Sequence, residues 1–490
     1  MKLKITFILL LTSLFTIQAQ WVQDGENVEG EHPEDRLGNS TSMSSNGLIF
    51  AAGSSVNDDA GESSGHVRIY ENVGGIWQQL GEDINGDTGG DIFGISSELN
   101  ASGTRIAIGA SMTGTGGDGS GYAKVYEYDN GEWLQLGSTI HGTGSFGYSI
   151  SLSADGTTVA VGAMRNDING FFSGQARVFK FITNEWIQLG QDLNGEESNN
   201  YFGRSVAIND NGTILSVGAN RYDGNNNNDG RVRVYEIIND VWTQIGQDIV
   251  GESENDHSGQ SVRLNNSGTI VAIGSDGNSE NGNESGQVRV FKINNDVWTQ
   301  IGQDIDGSSE GDRLGWDIDL NGEGNFLIVG APSSDDLFMN AGKALVFENQ
   351  NNTWVQIGDI LNGNNEGDSY GESVCINDLG DKIAVSGSND LNNSTAGYIS
   401  FYRNENLSVS DFNQSSFSLY PNPTNNIVNF SFTNNIGQKI TLLDITGKVL
   451  IEKVVEQQNE VLNISHLESG IYLINVLFNE KNVTTKVIKR

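Results

Sequence analysis

Seven tryptophans at a nearly constant spacing constrain the fold of this chain more than any other feature. They are Trp21, Trp77, Trp133, Trp186, Trp242, Trp298 and Trp354, which lie 56, 56, 53, 56, 56 and 56 residues apart. The remaining tryptophan, Trp316, falls outside the series. A fixed period of about this length is typical of solenoids, propellers and other repeat architectures.

Each repeat contains four short runs of β-branched and aromatic residues, and none of them has helical periodicity. In the unit that begins at Trp242, the later runs start at Ser261, Thr269 and Val288, and Asn266-Ser-Gly268 forms a turn between two of them. Such runs, bounded by turn residues, predict β-strands. The composition agrees, because 63 glycines and only 4 prolines suit many short strands joined by tight turns.

Four strands in each of seven units predict an all-β fold, a seven-bladed β-propeller. We name the strands a (Ser261 type), b (Ile270 type), c (Val288 type) and d (Trp242 type). A β-solenoid, the alternative, would favour shorter repeats. The chain begins with a d-type run at Trp21, and the seventh unit ends at Tyr402 without one. We therefore predict that the N-terminal strand completes the last blade and removes the open sheet edges.

The connections between the strands predict where a ligand binds. The a–b and c–d turns are short and alike, whereas the b–c loops, of about ten residues, differ in every unit and the d–a loops are long. Because successive antiparallel strands reverse direction, the b–c and d–a loops share one face of the disc, here called the loop face. Long variable loops on a rigid scaffold usually carry function.

Two short motifs recur in register within the repeats. Phe-Gly pairs precede strand a at 93–94, 146–147 and 202–203, and strand b ends in Ile/Val-Gly-Ala at 108–110, 161–163, 217–219 and 329–331. Over about 380 residues this pattern resembles the FG-GAP propeller repeat, which implies a propeller and often calcium bound between the two motifs. Here those connections, such as Asn265-Asn-Ser-Gly268, have too few carboxylates for the six to eight oxygen ligands that calcium takes.

The two ends of the chain predict its export. Residues 1–19 combine Lys2 and Lys4 with an apolar run of about 13 residues and a small residue before the cleavage point, which is typical of a signal peptide. No cysteine follows for a lipid anchor, and no later run predicts a transmembrane segment. We expect a propeller over 20–402, a linker over 403–416 and a small C-terminal β-sandwich over 417–490.

The C-terminal segment differs in charge and in motifs from the propeller. Residues 417–490 carry 7 basic and 6 acidic side chains, whereas 21–402 carry 17 and 55. Its motifs resemble the type A C-terminal sorting domain of the type IX (Por) secretion system. The resemblance implies a partner in the outer-membrane secretion machinery, and a protein that passes through the periplasm and is then secreted or attached to the cell surface. The residues that carry it are Tyr420, Pro421, Asn422, Pro423, Gly447, Lys448, Gly470, Tyr472 and Lys486.

Charge and residue counts exclude several classes of function. The net charge of −36 would repel phosphate backbones, so we expect no nucleic-acid partner. The single cysteine, Cys375, excludes a disulfide framework and is expected to be a small buried hydrophobe. The histidines of the loop face, His32, His141 and His257, belong to alternate units and are not expected to converge on a metal.

Two sets of charged residues recur at fixed positions and are therefore interpreted as structural. An aspartate before strand a is expected to accept loop N–H groups, and a basic residue in strand c is expected to pair with nearby carboxylates. The aspartates are Asp35, Asp91, Asp256, Asp312 and Asp368, and the basic residues are Arg68, Lys124, Arg177, Arg233 and Arg289. Calcium is not expected as a cofactor, but Asp223 and Asp229 in a b–c loop rich in Asp and Asn stay as candidates.

Residues that break the repeat pattern are the candidates for ligand binding. One position, just after the repeated glycine before strand a, differs in all seven units, and aromatic side chains stand among polar neighbours in several b–c loops. Such residues suit stacking on sugar rings or anchoring a protein partner, although packing beneath the loops would explain the aromatics equally well. The candidates are Tyr148, Phe171, Phe172, Arg204, Tyr222, Trp316, Phe338 and Glu372.

The sequence therefore predicts an exported, non-catalytic propeller that serves as a binding or adhesion module, with a glycan or a protein as the ligand at its loop face. No catalytic constellation is visible in the sequence. The alternative is a polysaccharide lyase or glycosidase, which would need acid and base groups converging at the centre of the face. Whether the mature protein stays anchored or is released is left open.

Overall fold

A computed structural model describes residues 21–490, except 34, 113–118, 389–395, 406–416, 421–423, 425, 433–438, 445–447, 456, 469, 479–480 and 490. The side chains of 417, 418, 471, 478, 481–486 and 488 are also outside the description. The predicted signal peptide and most of the predicted linker lie outside the described residues. The chain divides into two compact units, 1–407 and 408–490.

The first unit consists of seven antiparallel sheets in which strands a, b, c and d follow one another, as predicted for a seven-bladed propeller. Each sheet has one further short strand, e, which the sequence did not predict. Strand c is longer than strand d, and strand d pairs only with the later residues of strand c. The first residues of strand c therefore leave an edge that strand d does not cover. In blade 1, Tyr70–Val73 pair with strand d, and the chain then turns back to pair strand e with His66 and Val67.

The strand bounds follow the repeat closely. In the order a, b, c, d, e they are Ser40–Met43, Ile49–Ser54, His66–Val73, Ile76–Gln79 and Ile84–Asn85 in blade 1; Phe93–Leu99, Arg105–Ala110, Ser120–Asp129, Glu132–Gln135 and Ile140–Thr143 in blade 2; Ser149–Leu152, Thr158–Ala163, Gln175–Ile182, Glu185–Gln188 and Leu193–Asn194 in blade 3; and Phe202–Ile208, Ile214–Ala219, Arg231–Ile238, Val241–Gln244 and Ile249–Val250 in blade 4. They are Ser261–Leu264, Ile270–Ser275, Gln287–Asn294, Val297–Gln300 and Ile305–Asp306 in blade 5; Ile318–Leu320, Phe326–Ala331, Lys343–Asn349, Trp354–Gln356 and Leu361–Asn362 in blade 6; and Tyr370–Ile376, Lys382–Gly387, Tyr398–Asn404, Trp21–Gln23 and Val28–Glu29 in blade 7.

The ring closes as the sequence predicts. The N-terminal strand Trp21–Gln23 is strand d of blade 7 and pairs antiparallel with Tyr398–Asn404, so that Trp21 lies opposite Asn404. Val28–Glu29 adds strand e to the same blade. The first and last segments of the propeller are thus held in one sheet by backbone hydrogen bonds.

The core lies between the blades rather than within them. Both faces of each strand b are buried, because each blade is packed between two others. In blade 5, Val271 and Ile273 pack with the core residues of blade 4, whereas Ile270 and Ala272 pack with those of blade 6. This explains why strand b is apolar at consecutive positions instead of alternating.

In five blades the recurrent tryptophan forms a hydrogen bond to the preceding blade. The indole N–H of Trp242 donates to the carbonyl of Leu189 at 2.8 Å, and Trp133, Trp186, Trp298 and Trp354 make the equivalent bond. The two exceptions are Trp21 and Trp77, whose buried indole nitrogens have no partner within the described structure. Both flank the ring closure, where the N-terminal strand enters.

The second unit has two small sheets around an apolar core. The strands Phe417–Tyr420, Ile427–Phe432 and Asn459–Asn463 form one sheet, and Val449–Val454, Lys439–Leu443, Gly470–Phe478 and Lys481–Lys489 form the other. Alternate residues such as Val428, Phe430, Ile440 and Leu442 face inwards and are fully buried. The fold is all-β, and no described helix is long and apolar enough to span a bilayer.

Candidate functional site

The position that differs in all seven units lies at the start of strand a, the innermost strand. It occupies a β-bulge in several blades, where the register shifts past the repeated glycine, for example between Phe202 and Ser205. A bulge redirects the side chain of its extra residue. The seven residues at this position are Asn39, Ile95, Tyr148, Arg204, Gln260, Trp316 and Glu372.

Two of these residues, in adjacent blades, contact each other. The guanidinium of Arg204 in blade 4 stacks over the ring of Tyr148 in blade 3, with the guanidinium carbon 4.8 Å from the ring centroid. Both side chains are half-buried. The sequence placed them at equivalent positions but did not predict the contact.

A group of aromatic and arginine side chains lies next to this pair, at the junction of blades 3 and 4. Phe171 and Phe172 stack at 3.8 Å between ring centroids, and Phe172 lies 5.5 Å from Tyr201. Arg165 stacks over Phe172 and Arg221 over Tyr201, at 5.8 and 5.3 Å. Tyr201 also accepts the backbone N–H of Arg204, which connects the group to the Tyr148 pair. We call these seven residues the aromatic–arginine surface: Tyr148, Arg165, Phe171, Phe172, Tyr201, Arg204 and Arg221.

Two of these aromatics lie at positions where the backbone conformation favours smaller residues. Phe172 and Tyr201 have φ of 54° and 55°, a left-handed conformation that costs a bulky side chain about 1 kcal/mol or more. The N–H of Tyr201 donates to the carbonyl of Phe172. The same N–H···O bond recurs in four other blades, where the residues equivalent to Phe172 are Ser63, Asn228, Glu284 and Asn340. An aromatic at position 172 is therefore not dictated by the fold.

The three arginines of the surface differ from most basic residues of the propeller. Within the described part of the chain, Arg165, Arg204 and Arg221 make no ion pair, and the guanidinium group of each lies over an aromatic ring. Phe171 is 60% exposed, and Arg165 and Arg221 are also exposed. The surface thus presents unneutralised positive charge beside accessible aromatic rings.

The other predicted ligand-binding residues are dispersed. Tyr222 packs on the core beneath its loop and against the buried Arg231, whose guanidinium carbon lies 3.7 Å from the ring centroid, so its role is packing. Trp316 contacts Arg313 in its own blade, and Glu372 accepts a hydrogen bond from Ser388. Phe338 is 50% exposed at the tip of another loop. None of these four belongs to the aromatic–arginine surface.

The structural interpretation of the recurrent charged residues is confirmed. Each repeated aspartate accepts backbone N–H groups of its own loop; for example, one oxygen of Asp256 accepts from Glu252 and Ser253 at 2.7 and 2.8 Å. The five basic residues of strand c each pair with a carboxylate. The pairs are Arg68–Asp83, Lys124–Asp87, Arg177–Asp192, Arg233–Asp248 and Arg289–Glu252.

The calcium candidates Asp223 and Asp229 use their carboxylates within their own loop. Asp229 is fully buried and accepts the N–H groups of Gly224, Asn225 and Asn226. Asp223 accepts the N–H of Asn228. These bonds brace the loop, as expected for a turn-forming segment.

The central channel holds charged residues that sequence reasoning missed. A cavity of about 120 Å³ lies among the strands a and is bordered by Glu98, Arg263, Asp319 and Cys375. These four residues occupy one repeat position, five residues before the turn glycine, where other blades have serine or alanine. The sequence signal that could have identified these residues is a residue that varies from blade to blade in the middle of the innermost strand.

Burial in the channel perturbs the titration of its carboxyl groups. It raises the pKa of Glu98 to about 7, against the opposing effect of Arg263, and it raises the pKa of Asp319 to about 6. Asp319 lies 3.3 Å from Arg263 and accepts the N–H of Ile376 in the next blade. Ser42 and Ser151, at the same repeat position, accept the equivalent bond. The channel carboxylate Asp319 therefore acts as a brace between blades.

The predicted sorting residues that can be described lie on the second unit. Tyr420 is exposed at the end of the first strand, and the Tyr472 hydroxyl donates to the carbonyl of Glu468. Lys448 donates its N–H to Asp444, and Gly470 begins a strand whose partner contains Lys486. Pro421, Asn422, Pro423 and Gly447 lie outside the described residues.

Comparison with known proteins supports the interpretation of the second unit. Residues 418–490 match the family described as secretion system C-terminal sorting domain. This match confirms the predicted likeness to type IX sorting domains. The protein is accordingly exported by the type IX system to the cell surface or the medium, and its C-terminal domain engages that machinery.

The solved structures that resemble this chain include two with low sequence identity. No curated protein matches the chain. A solved protein from Lactobacillus plantarum is 14% identical, over 69% of this chain and 89% of that one, with a TM-score of 0.46. The periplasmic gluconolactonase of Pseudomonas aeruginosa is 12% identical, over 66% of this chain and 88% of that one, with a TM-score of 0.43.

Proposed function

We propose that this exported propeller is a non-catalytic binding module that recognises acidic glycans through the aromatic–arginine surface on its loop face. The observation that carries the proposal is the contact of three arginines, none of them ion-paired, with aromatic rings at one blade junction. Aromatic rings stack on the apolar faces of sugars, and guanidinium groups pair with carboxylates or sulfates in a bidentate manner.

The charge of the remaining molecule supports an acidic ligand that binds at one place. The propeller segment 21–402 carries 55 acidic and 17 basic side chains, so most of its surface repels an anionic polymer. Arg165, Arg204 and Arg221 provide a local exception. Repulsion elsewhere limits where such a polymer can dock, which gives specificity for the place where these arginines provide positive charge.

The geometry favours a glycan over a protein partner. The stacked rings of Phe171 and Phe172 lie in a b–c loop whose other large exposed apolar side chain is Ile168, and the remaining exposed loop residues are polar or small. A protein interface usually needs a buried apolar centre and about 800 Å² of each partner. A few aromatic platforms with polar neighbours are sufficient for a sugar chain.

The enzyme alternative depends on the channel carboxyl groups. Glu98, with a pKa of about 7, and Asp319, with a pKa of about 6, have values suited to proton transfer. However, the cavity of about 120 Å³ is smaller than the roughly 300–1,000 Å³ of typical ligand pockets. Asp319 is also committed to Arg263 and to the backbone of blade 7. These features favour a structural role for the channel charges.

A binding assay with acidic and neutral polysaccharides tests the proposal. The purified full chain is titrated with polygalacturonate and with dextran, in the presence of calcium or of chelator, and the polysaccharides are then examined for cleavage. We expect retention on polygalacturonate alone, without cleavage. The double variant R165A/R221A and the single variant R204A should each bind at least about tenfold more weakly.

Lys292 provides the matched control. It is exposed on strand c of blade 5, outside the aromatic–arginine surface, so K292A removes one positive charge without touching that surface. This variant should bind like the parent. Cleavage products would support the enzyme alternative, equal binding of dextran would exclude recognition of charge, and no retention on either polymer would shift the proposal to a protein ligand.

A further inference from the structure

His66 of blade 1 has a buried nitrogen without a partner. The residue begins strand c, is 1% exposed, and its Nδ1 atom makes no hydrogen bond within the described structure. Two carboxylates lie near this atom: the Oδ2 of Asp59 at 3.7 Å and the Oδ2 of Asp83 at 3.8 Å. Asp59 belongs to the b–c loop, and Asp83 lies between strands d and e.

These separations suit a cation held between the three side chains. They are too long for hydrogen bonds, which need about 3.2 Å or less. Two ligand atoms that each lie about 2.0–2.2 Å from one metal ion are separated by roughly 3.3–3.8 Å at tetrahedral to trigonal angles. The three ligand atoms all lie within 4.8 Å of one another.

The internal repeat provides a comparison within the same molecule. Lys343 occupies the position of His66 in blade 6, since each is the first residue of strand c and pairs with the last residue of strand b. Its ammonium group contacts Asp336, the counterpart of Asp59, at 2.8 Å and Asp312 at 2.9 Å. At this position blade 6 therefore has the ammonium group of Lys343, which is a cation, whereas blade 1 has the shorter imidazole of His66.

The surrounding charges also favour a divalent cation. Four carboxylates, those of Glu31, Asp35, Asp59 and Asp83, act near this position beside one guanidinium, that of Arg68. Arg68 and Gln79 donate to Asp83 and fix the orientation of its carboxylate, as partners outside the coordination shell do in metal sites. A doubly charged ion would offset most of this excess negative charge.

We propose that blade 1 binds a divalent transition-metal ion, of the zinc type, through Nδ1 of His66 and the carboxylates of Asp59 and Asp83. One imidazole and two carboxylates suit Zn²⁺ better than Ca²⁺, which takes six to eight oxygen ligands. Three protein ligands leave a position for water or a ligand group. The ion would tie the b–c loop and the d–e connection to strand c at the loop face.

The experiment measures Zn²⁺ on the full chain. The protein is stripped with chelator, loaded with Zn²⁺ and dialysed; metal content is measured by mass spectrometry, and affinity by competition with a chelating dye. The variants are H66Q, which introduces the residue that blades 3 and 5 carry at this position as Gln175 and Gln287, and D59N. H141Q, which alters an exposed histidine elsewhere on the loop face, is the control.

We expect about one Zn²⁺ per chain in the parent and in H141Q, and at least about 100-fold weaker binding in H66Q and D59N. The melting temperature should rise with Zn²⁺ in the parent but not in the two ligand variants, and Ca²⁺ should not replace Zn²⁺. X-ray absorption of the loaded parent should show nitrogen and oxygen ligands without sulfur. Absence of bound Zn²⁺ in the parent, or parent-like affinity in folded H66Q, would overturn the proposal.

Discussion

A Cβ atom on Gly109 of strand b would lie 2.0 Å from the carbonyl oxygen of Gly147, which precedes strand a of the next blade. Real Cβ atoms do not approach an oxygen so closely, so the two blades can meet only because residue 109 has no side chain. Five other junctions repeat this approach, between 53 and 94, 162 and 203, 218 and 259, 274 and 315, and 330 and 371. The two recurrent glycine motifs of the sequence therefore meet at the blade interfaces.

The substitution G109A should destabilise the propeller by about 2–3 kcal/mol, because the blades must separate to admit the methyl group. The matched control is G131A, at a position with φ of 96° and no atom within 4 Å of the added Cβ. That control carries only the backbone strain of about 1 kcal/mol. Denaturant unfolding of both variants checks the difference, and equal losses would contradict the steric explanation.

Replacement of a recurrent tryptophan by phenylalanine should separate its hydrogen bond from its packing. W242F removes the donor to the carbonyl of Leu189, whereas W77F removes an indole N–H that has no partner within the described structure. We expect W242F to lose about 1 kcal/mol more than W77F in the free energy of unfolding, since it leaves the partly buried carbonyl of Leu189 without this donor. Thermal and denaturant unfolding measure the difference. If W242F loses no more stability than W77F, packing alone determines how much this tryptophan stabilises the fold.

The propeller could be predicted from the sequence because its determinants repeat. Trp242, Gly109 and Asp256 each perform one task that recurs around the ring, so periodicity alone locates the strands and the interfaces. The fifth strand of each blade escaped prediction because its segments, two residues in six blades and four in blade 2, are too short for an alternating pattern to register. It follows from the excess length of strand c over strand d.

The candidate site could be predicted only in part because its contacts cross blades. Tyr148 and Arg204 stand out as departures from the repeat, but their stacking depends on the curvature of the ring. Tyr201 was not predicted because the sequence does not distinguish it from the other residues of the variable loops. His66 was missed because a buried histidine in a strand gives no sign of the carboxylates that the d–e connection brings near it.

Replacement of Phe172 by asparagine should separate ligand binding from packing. Asn228 and Asn340 occupy the equivalent left-handed position in two other blades, and asparagine tolerates this backbone conformation. We expect F172N to keep the stability of the parent or to gain up to about 1 kcal/mol, while polygalacturonate binding falls at least about tenfold. Unfolding and binding are measured on the same preparations. A loss of about 2 kcal/mol or more with unchanged binding would show that Phe172 serves to pack the loop.

The channel carboxyl of Glu98 should give the protein a specific dependence of stability on pH. Its folded-state pKa of about 7 lies above the ordinary value of 4.5, because burial disfavours the ionised form. Above pH 4.5 the unfolded chain releases this proton while the folded chain keeps it, so the stabilising contribution is full below pH 4.5 and is lost as the pH rises to about 7. E98Q, which cannot ionise, should therefore gain about 3 kcal/mol relative to the parent as the pH rises through these values, with no further change once the pH is well above 7. Denaturant unfolding from pH 4.5 to 8 measures this gap, and E71Q, at an exposed glutamate, should run parallel to the parent. A constant gap between E98Q and the parent would mean that the channel keeps Glu98 as accessible to water as the unfolded chain does.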